Sequence, residues 1–233
     1  MGISVNILAY EEAENLKILL PKLKVELLQI NEEYEIIVVD AKISTDCTEE
    51  ICKQNKVKYV RQEFEGFGDA YKTAIKYSKK DKFLIMDADG SHNPKNIKDI
   101  YNKFVKTNCD AVIASRYIKN GLNKDTNSSI IMSKILNLTY RIFLNIKIND
   151  MSSGFRMYKT EQLKKIDIKS KNYNVQQEII VKLMKIKKDF EVKEVPIIFS
   201  KRKYGTSKRK LFIFIIDYIK TLFYLFYIKN ITR

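Results

Sequence analysis

Short apolar runs alternate with longer segments in which apolar residues recur every three or four positions. The runs predict strands over residues 3–9, 34–40, 57–62, 82–87 and 110–115, and the longer segments predict helices over residues 12–29, 46–55, 68–79 and 94–107. Pro21 lies inside the first helix and is expected to kink or restart it, because proline lacks the amide hydrogen. This alternation predicts an α/β domain with a mostly parallel central sheet.

The second half of the chain predicts a long helix over residues 128–146, a turn at 152–154, a helix over 176–187 and a strand over 192–199. An apolar segment follows over residues 211–228, interrupted by Asp217, Lys220 and Thr221. A chain of 233 residues can bury one sizeable core. We therefore expect one domain over residues 1–210 and a C-terminal helix over residues 211–233.

The C-terminal helix leaves three arrangements open. A membrane span needs about 20 mainly apolar residues, and a central Asp or Lys costs about 2.5 to 3.5 kcal/mol on insertion. A helix lying in the membrane interface agrees better with the aromatic residues of the segment and the basic residues around it. Packing on the domain or on a partner protein is the third arrangement. The pattern favours the interfacial helix, and with it a peripheral protein.

The charge of the chain predicts a polyanionic partner. Its 43 Lys and Arg residues exceed its 28 Asp and Glu residues, and residues 200–233 contribute +8 to the formal charge of +15. Nucleic acid, a membrane surface and a phosphorylated substrate would each suit this charge. The C-terminal aromatic residues are not interleaved with the basic ones, which disfavours base stacking. We expect a membrane surface as partner and no nucleic acid, with a nucleic-acid-binding module as the alternative from another class.

Cysteine, histidine and the N-terminus narrow the chemistry further. The three cysteines, Cys47, Cys52 and Cys109, lack metal-type spacing and indicate buried thiols in a reducing compartment. A single histidine, His92, excludes a multi-histidine zinc site and is a poor candidate for a catalytic base. The first residues show no basic segment and no cleavage site, so we expect no signal peptide and a location on the cytoplasmic face of a membrane.

Asp87-Ala88-Asp89-Gly90 is the strongest chemical signal. Two adjacent carboxylates at the end of an apolar run repel each other unless a cation compensates them. Hard divalent ions such as Mg²⁺ or Mn²⁺ take such oxygen ligands and keep positions open for substrate phosphates. Asp40 also ends a predicted strand, and open α/β sheets bind ligands at that edge. The alternative is a solvated strand-to-turn junction, where Asp and Gly are common.

Six ordered segments resemble the family 2 glycosyltransferases, in particular the dolichol-phosphate or polyprenyl-phosphate mannose synthases. They are Val38-Val39-Asp40 with Ser44-Thr45-Asp46, Gly66-Phe67-Gly68-Asp69-Ala70, Asp87-Ala88-Asp89-Gly90-Ser91-His92, Ser115-Arg116-Tyr117, Ser153-Gly154-Phe155-Arg156 and Tyr204-Gly205-Thr206-Ser207-Lys208. The resemblance implies a GT-A (Rossmann-like) fold and a GDP- or UDP-sugar as donor. It also implies Mg²⁺ or Mn²⁺, a polyprenyl or dolichyl phosphate as acceptor, and a small membrane-protein partner for some members.

The resemblance also implies site residues. Those for the donor are Leu8, Tyr10, Glu12, Asp40, Gly68, Asp87, Ala88 and Asp89. Those for the metal are Asp87, Asp89 and Ser91, and those for the acceptor phosphate are Arg116, Lys134, Arg156, Arg202, Ser207 and Lys208. Asp89, Arg116 and Arg202 would be catalytic. The chain departs from the family at Leu8-Ala9 and at Ala41, near the nucleotide, and at Lys134, where a point charge replaces the planar fork of arginine.

The acceptor decides whether a catalytic base is needed. A phosphate monoester has a second pKa near ~6, so it is mostly ionised at neutral pH and can attack without a base. A saccharide hydroxyl needs a carboxylate base, and Asp150 would be the candidate for that alternative. Family members with hydroxyl acceptors often use a Glu-Asp pair, and this chain contains no Glu-Asp dipeptide. We therefore expect an inverting enzyme that transfers mannose or glucose to a polyprenyl phosphate.

Overall fold

The computed structural model describes residues 1–202, residue 204 and residues 211–230, with only the backbone of residues 211–214. The strands are β1 (Gly2–Leu8), β2 (Glu33–Asp40), β3 (Lys58–Arg61), β4 (Lys82–Asp87), β5 (Ala111–Ser115), β6 (Leu122–Asn123), β7 (Arg156–Lys159), β8 (Val192–Pro196) and β9 (Ile198–Phe199). The helices are α1 (Ala13–Leu28), α2 (Thr48–Gln54), α3 (Phe67–Tyr77), α4 (Asn96–Thr107), α5 (Asn127–Phe143), α6 (Thr160–Leu163), α7 (Val175–Ile186) and α8 (Leu211–Asn230).

Seven strands form one central sheet in the order β3-β2-β1-β4-β7-β5-β8. All neighbouring strands are parallel except β7, which runs antiparallel to both β4 and β5. A separate parallel pair joins β6 to β9. The predicted α/β fold with a mostly parallel sheet is confirmed. The sequence did not predict β7, because its four residues are too few to show a strand period.

Helices cover both faces of the sheet, which explains why its central strands are continuous apolar runs. On one face α1, α2 and α4 pack against side chains such as Val5, Val38 and Leu84. On the other face α3, α5, α7 and α8 pack around Ile37 and Ile85. The carboxyl ends of β1, β2 and β4 therefore meet at one edge of the sheet, between the two helical layers.

Some local predictions differ from the structure. Helix α1 continues through Pro21, so the helix does not restart there, and Leu16, Leu20 and Leu23 hold it against the sheet on both sides of the proline. The strand expected over residues 192–199 is divided between two sheets as β8 and β9. Cys52 and Cys109 are buried as predicted, but Cys47 is exposed.

Helix α8 packs on α5 and α7. Its Leu222 and Leu225 are buried in the core, and the Tyr218 hydroxyl donates to the Leu136 carbonyl of α5 at 3.0 Å. The opposite side of α8 exposes Ile219, Phe223 and other apolar side chains to solvent. Within the described residues, no helix has both the length and the apolar character that a membrane crossing requires.

Candidate active site

A cleft of about 760 Å³ opens at the carboxyl ends of β1 and β4. Six of the residues expected to bind the donor line it: Leu8, Tyr10, Glu12, Asp87, Ala88 and Asp89. Arg202, expected at the acceptor, also lines this cleft. Further lining residues were not predicted, and they include Lys42, Ile43, Thr45, Gln62, Phe67 and Tyr173. Thr45 and Phe67 lie inside the recognised segments, whereas the other four lie outside them, where the sequence offered no signal.

Asp40 and Gly68, which were expected to bind the donor, are not among the residues that line the cleft. Asp40 is 1% exposed, and its carboxylate accepts the Tyr59 hydroxyl at 3.0 Å and the Ala41 amide at 2.8 Å. Gly68 faces the backbone of residues 170 and 171, where an added Cβ would lie 1.9 Å from the Ser170 carbonyl oxygen. Asp40 therefore supports the strand end, and Gly68 is required by close backbone packing.

Three acidic side chains lie near one arginine in the cleft, and two of them contact it. Arg202 places Nη1 2.6 Å from Glu12 Oε1 and Nη2 3.1 Å from Asp89 Oδ2. Asp87 lies at the end of β4, two residues before Asp89. Glu12 follows β1 and Arg202 follows β9, so this cluster is formed by segments that are distant in sequence.

The acidic cluster changes the protonation of its members. Burial and the adjacent Asp89 carboxylate raise the pKa of Asp87 to about 7, against the lowering effect of Arg202. Burial also raises the pKa of Glu12, although Asn15 and Arg202 oppose that effect. Excess negative charge of this kind is relieved by a bound cation.

The carboxylates of Asp87 and Asp89 are hard oxygen ligands and fit a Mg²⁺ or Mn²⁺ ion. Among the described residues, no group of three Asp, Glu, His or Cys side chains is close enough to hold an ion on its own. With two protein carboxylates as ligands, most coordination positions of the ion would be taken by water and substrate phosphate, as is usual for Mg²⁺ sites. Ser91, the third predicted ligand, donates from its amide at 3.0 Å and from its hydroxyl at 2.5 Å to Asp89 Oδ1.

His92 supports the cleft from below. Its Nδ1 accepts the Asp87 amide at 3.1 Å, and its ring stacks on Phe155 at a centroid distance of 5.0 Å. The ring is 2% exposed, and burial lowers the pKa of His92 to about 4. The imidazole is therefore neutral at physiological pH and holds the backbone of Asp87 in place.

Arg116 forms a buried pair with Asp150. Its Nε and Nη2 each donate to the Asp150 carboxylate at 2.7 Å, and its backbone amide donates at 2.9 Å. Nη2 also donates to the Ser152 hydroxyl at 2.6 Å. The Asp150 carboxylate has no exposed surface; burial by itself would raise its pKa, but Arg116 outweighs this and lowers the pKa of Asp150. A carboxylate held this way is a poor proton acceptor.

A second cavity, of about 370 Å³, contains two of the predicted phosphate-binding cations. Arg116 and Lys134 line it together with Arg141, Asn137 and Asn149. Arg116 also lies over the Phe199 ring at 5.3 Å, and Phe199 contacts His92 below the acidic cluster. The structure thus places a basic cavity beside the acidic cleft. Arg141 was not among the predicted residues, although it lies on the same helix as Lys134.

Arg156 does not lie on a substrate surface, so the expected contact to an acceptor phosphate needs correction. Its side chain is completely buried at the start of β7. The guanidinium donates to the carbonyl oxygens of Met151, Ser153 and Gln176 at 2.5, 2.6 and 2.9 Å. Nη1 also donates to the Tyr158 hydroxyl at 3.0 Å, and a buried charge requires such hydrogen bonds. Arg156 instead holds the segment that contains Gly154, which lies against the Asp87 carboxylate. The predicted Ser207 and Lys208 lie outside the described residues.

Comparisons with known proteins identify the family of the chain. The profile of the family described as Glycosyl transferase family 2 matches residues 4–167. A polyprenol monophosphomannose synthase from Mycolicibacterium smegmatis is 33% identical over 150 residues, which cover 61% of this chain and 56% of that protein. A dolichol-phosphate mannosyltransferase from Pyrococcus furiosus is 34% identical over 221 residues, covering 90% of this chain and 60% of that protein. The chain thus spans less than two thirds of the length of these relatives.

Solved structures show the same fold. Glucosyl-3-phosphoglycerate synthase from Mycobacterium tuberculosis, in complex with Mn²⁺, UDP and glucosyl-3-phosphoglycerate, superposes with a TM-score of 0.74 at 16% identity, over 96% of this chain and 79% of that one. The complex of that enzyme with Mg²⁺ and UDP gives a TM-score of 0.73 at 16% identity, again over 96% and 79% of the two chains. With its GT-A-like fold and the family profile covering most of its length, the chain belongs to glycosyl transferase family 2.

Proposed function

We propose that the protein transfers a hexose, mannose in the first place, from a nucleotide-diphosphate sugar to a polyprenyl phosphate at a membrane surface. The observation that carries this proposal is the pairing of an acidic cleft, containing Asp87 and Asp89, with a basic cavity, containing Arg116 and Lys134. The names of the two mannosyl-transferring relatives support the same donor sugar and lipid class.

The acidic cleft suits the donor. Asp87 and Asp89 would hold Mg²⁺ or Mn²⁺, which supplies electrostatic neutralisation of the diphosphate leaving group. Lys42, Thr45 and Gln62 offer polar groups at the other end of the cleft, where the nucleoside would lie. Complexes of a structural neighbour with UDP and either metal support a nucleotide in a cleft of this fold.

The basic cavity suits a phosphate acceptor better than a hydroxyl acceptor. Arg116 and Lys134 would bind the phosphate monoester, whose ionised oxygen attacks the sugar without a base. The hydroxyl alternative needs Asp150 as that base, but Asp150 is buried and engaged by three donors of Arg116. Its lowered pKa opposes proton acceptance.

Two exposed apolar stripes support action at a membrane surface. Ile131, Ile135, Leu138 and Ile142 form one on α5, and Ile215, Ile219, Phe223 and Phe226 form the other on α8, each side chain at least 41% exposed. Helices α5 and α8 contact each other through Tyr218 and Leu136. Apolar surface of this extent with basic residues such as Lys134 and Lys220 nearby favours the interfacial position of amphipathic helices.

A direct assay tests the proposed function. The protein is incubated with GDP-mannose, Mn²⁺ and polyprenyl phosphate, with UDP-glucose as a parallel donor, and lipid-linked sugar is detected by mass spectrometry. Asp89→Ala should reduce its formation at least about 100-fold. Asp99→Ala, at an exposed acid of α4, is the matched control and should retain activity. Formation of lipid-linked sugar by the Asp89→Ala variant would contradict the metal assignment, and failure with every lipid acceptor would contradict the acceptor class.

A further inference from the structure

The loop of residues 169–174, between α6 and α7, lies directly against the wall of the acidic cleft. The Gly68 amide donates to the Lys171 carbonyl at 2.8 Å. An added Cβ would lie 2.5 Å from the Lys171 carbonyl oxygen at Gly66, and closer still to Ser170 at Gly68. At both positions the loop packs so closely on the start of α3 that only glycine fits. A movement of the loop would therefore move the wall of the cleft.

Tyr173 is the residue of this loop that lines the acidic cleft. Its ring packs on Phe67 with a centroid distance of 4.6 Å and an interplanar angle of 30°. Tyr173 and Phe67 both line the acidic cleft. Tyr173 also lines a small cavity of about 70 Å³ on the opposite side, together with Asn172, Asn174 and Asp217. The same side chain therefore separates the cleft from the underside of α8.

Helix α8 holds the loop from that side. The side-chain amide of Asn172 donates to the Asp217 carboxylate, and the side-chain amide of Asn174 donates to the Thr221 hydroxyl. Asp217 and Thr221 lie four residues apart, so they occupy one face of the helix. This contact explains two of the polar residues that interrupt the apolar C-terminal segment.

The base of the loop is held as firmly. The backbone amides of Lys169 and Ser170 donate to the buried carboxylate of Glu178 on α7 at 2.9 and 2.7 Å. The first residues of the loop are thus attached to α7 and its last residues to α8, so we expect the position of α8 to affect the loop.

We propose that Tyr173 forms, with Phe67, an aromatic wall that contacts the bound nucleotide sugar, and that α8 positions this wall through Asp217 and Thr221. The proposal rests on the proposed donor and adds a positioning function for the C-terminal helix. An aromatic face packs on either the base or the sugar ring of the donor, and its loss weakens binding by about 3- to 10-fold. Displacement of α8 lowers donor affinity, although none of the α8 residues whose side chains are described lines the cleft.

The absence of tryptophan from the sequence makes a clean reporter possible. Tyr173→Trp introduces a single tryptophan into the cleft wall. UDP or GDP added with Mg²⁺ should change its emission, and Asp89→Ala in the same background should remove the response. Tyr77→Trp, at the far end of α3 and beside Lys58, is the matched control and should show no response. An unresponsive Tyr173→Trp protein that still binds the nucleotide by calorimetry would overturn the proposal.

Variants of the helix test the second half of the proposal. Asp217→Ala and Thr221→Val should each weaken nucleotide binding about 3-fold and shift the emission of the Tyr173→Trp protein to longer wavelength without ligand. Lys220→Ala, at an exposed position of the same helix, should change neither property. Thr221→Val is nearly isosteric, so it decides the question if Asp217→Ala lowers the melting temperature. Unchanged affinity and emission in Thr221→Val would overturn the positioning function.

Substitution of Tyr173 itself completes the test. Tyr173→Ala should weaken nucleotide binding by about 10-fold, whereas Tyr173→Phe should stay within about 2-fold because it keeps the ring. Equal affinity of Tyr173→Ala and the unmodified protein would overturn the contact. If the unmodified protein binds neither nucleotide in the presence of Mg²⁺, the proposed function itself is contradicted. The proposed contact of Tyr173 with the donor is then contradicted as well.

Discussion

Arg202 and Asp89 form an ion pair at 3.1 Å in the floor of the acidic cleft, and the same guanidinium contacts Glu12 at 2.6 Å. The arginine thereby supplies positive charge to a carboxylate that is expected to bind a divalent cation. Metal and arginine compete for the same oxygen, since both compensate one negative cluster. Arg202 therefore acts as a counter-ion in this structure, and we expect metal and donor binding to release it.

This competition predicts the effect of Arg202→Gln. In the absence of donor, the affinity of the Arg202→Gln variant for Mn²⁺ should rise by about 10-fold, because the competing charge is removed. This change corresponds to about 1.4 kcal/mol. Sugar transfer should fall at the same time. Calorimetric titration with Mn²⁺ measures the first effect, and Arg61→Gln, at an exposed pair with Glu49, is the control. Weaker Mn²⁺ binding by Arg202→Gln would contradict the competition.

The Arg116–Asp150 pair predicts a large loss of stability on Asp150→Asn. Removing one partner of a buried ion pair leaves the other uncompensated and costs about 3 to 5 kcal/mol. Urea denaturation measures the free energy of unfolding, and Asp99→Asn at the surface should leave it nearly unchanged. A variant of full stability with greatly reduced turnover would instead indicate that Asp150 is a catalytic base for a hydroxyl acceptor.

Glu178 predicts how stability depends on pH. Burial would raise its pKa, but Lys182 and the amides of Lys169 and Ser170 outweigh burial and lower the pKa below the ordinary value of 4.5. A carboxyl group whose pKa is lower in the folded state stabilises the protein at pH values above its pKa in the unfolded state. This contribution is lost as the pH falls through the pKa of the folded state. Stability should therefore be constant from pH 7 to 5 as far as Glu178 is concerned, and should decrease below about pH 4.5.

The variant Glu178→Gln tests this assignment. It should destabilise the protein by about 2 kcal/mol at pH 7, because two backbone amides and Lys182 lose a charged partner. The difference from the unmodified protein should shrink as the pH is lowered to 3. Urea denaturation at a series of pH values measures it, and a difference independent of pH would assign the acid sensitivity to other carboxylates.

The exposed apolar stripes predict binding to lipid. Ile135→Glu on α5 and Phe223→Glu on α8 should each weaken association with vesicles of phosphatidylcholine and phosphatidylglycerol by about 10-fold. Val25→Glu replaces an equally exposed apolar residue on α1 and should have no effect. Added salt should weaken binding further, since basic residues flank the stripes. Cosedimentation measures all three variants, and equal loss in Val25→Glu would show that the stripes are not specific.

Much of the fold followed from the sequence because its signals are local. The apolar runs that became β1, β2 and β4 are buried on both faces, so their composition alone identified them. The acidic motif after β4 was recognisable because two carboxylates at a strand end need a compensating charge. Strand β7 had no such signal, since it is a strand only through its pairing with β4 and β5.

Charged residues show where the sequence alone was insufficient. Arg116, Arg156 and Arg202 looked equivalent as phosphate-binding cations, but the first is paired with Asp150, the second is buried among carbonyl oxygens and the third contacts Asp89. The same uncertainty applied to Gly68, whose contact is a loop distant in sequence. The residue types and their order thus determined the family, the sheet and the acidic motif. Only tertiary structure decided which charges meet, because an ion pair depends on distances between segments that the order of residues does not contain.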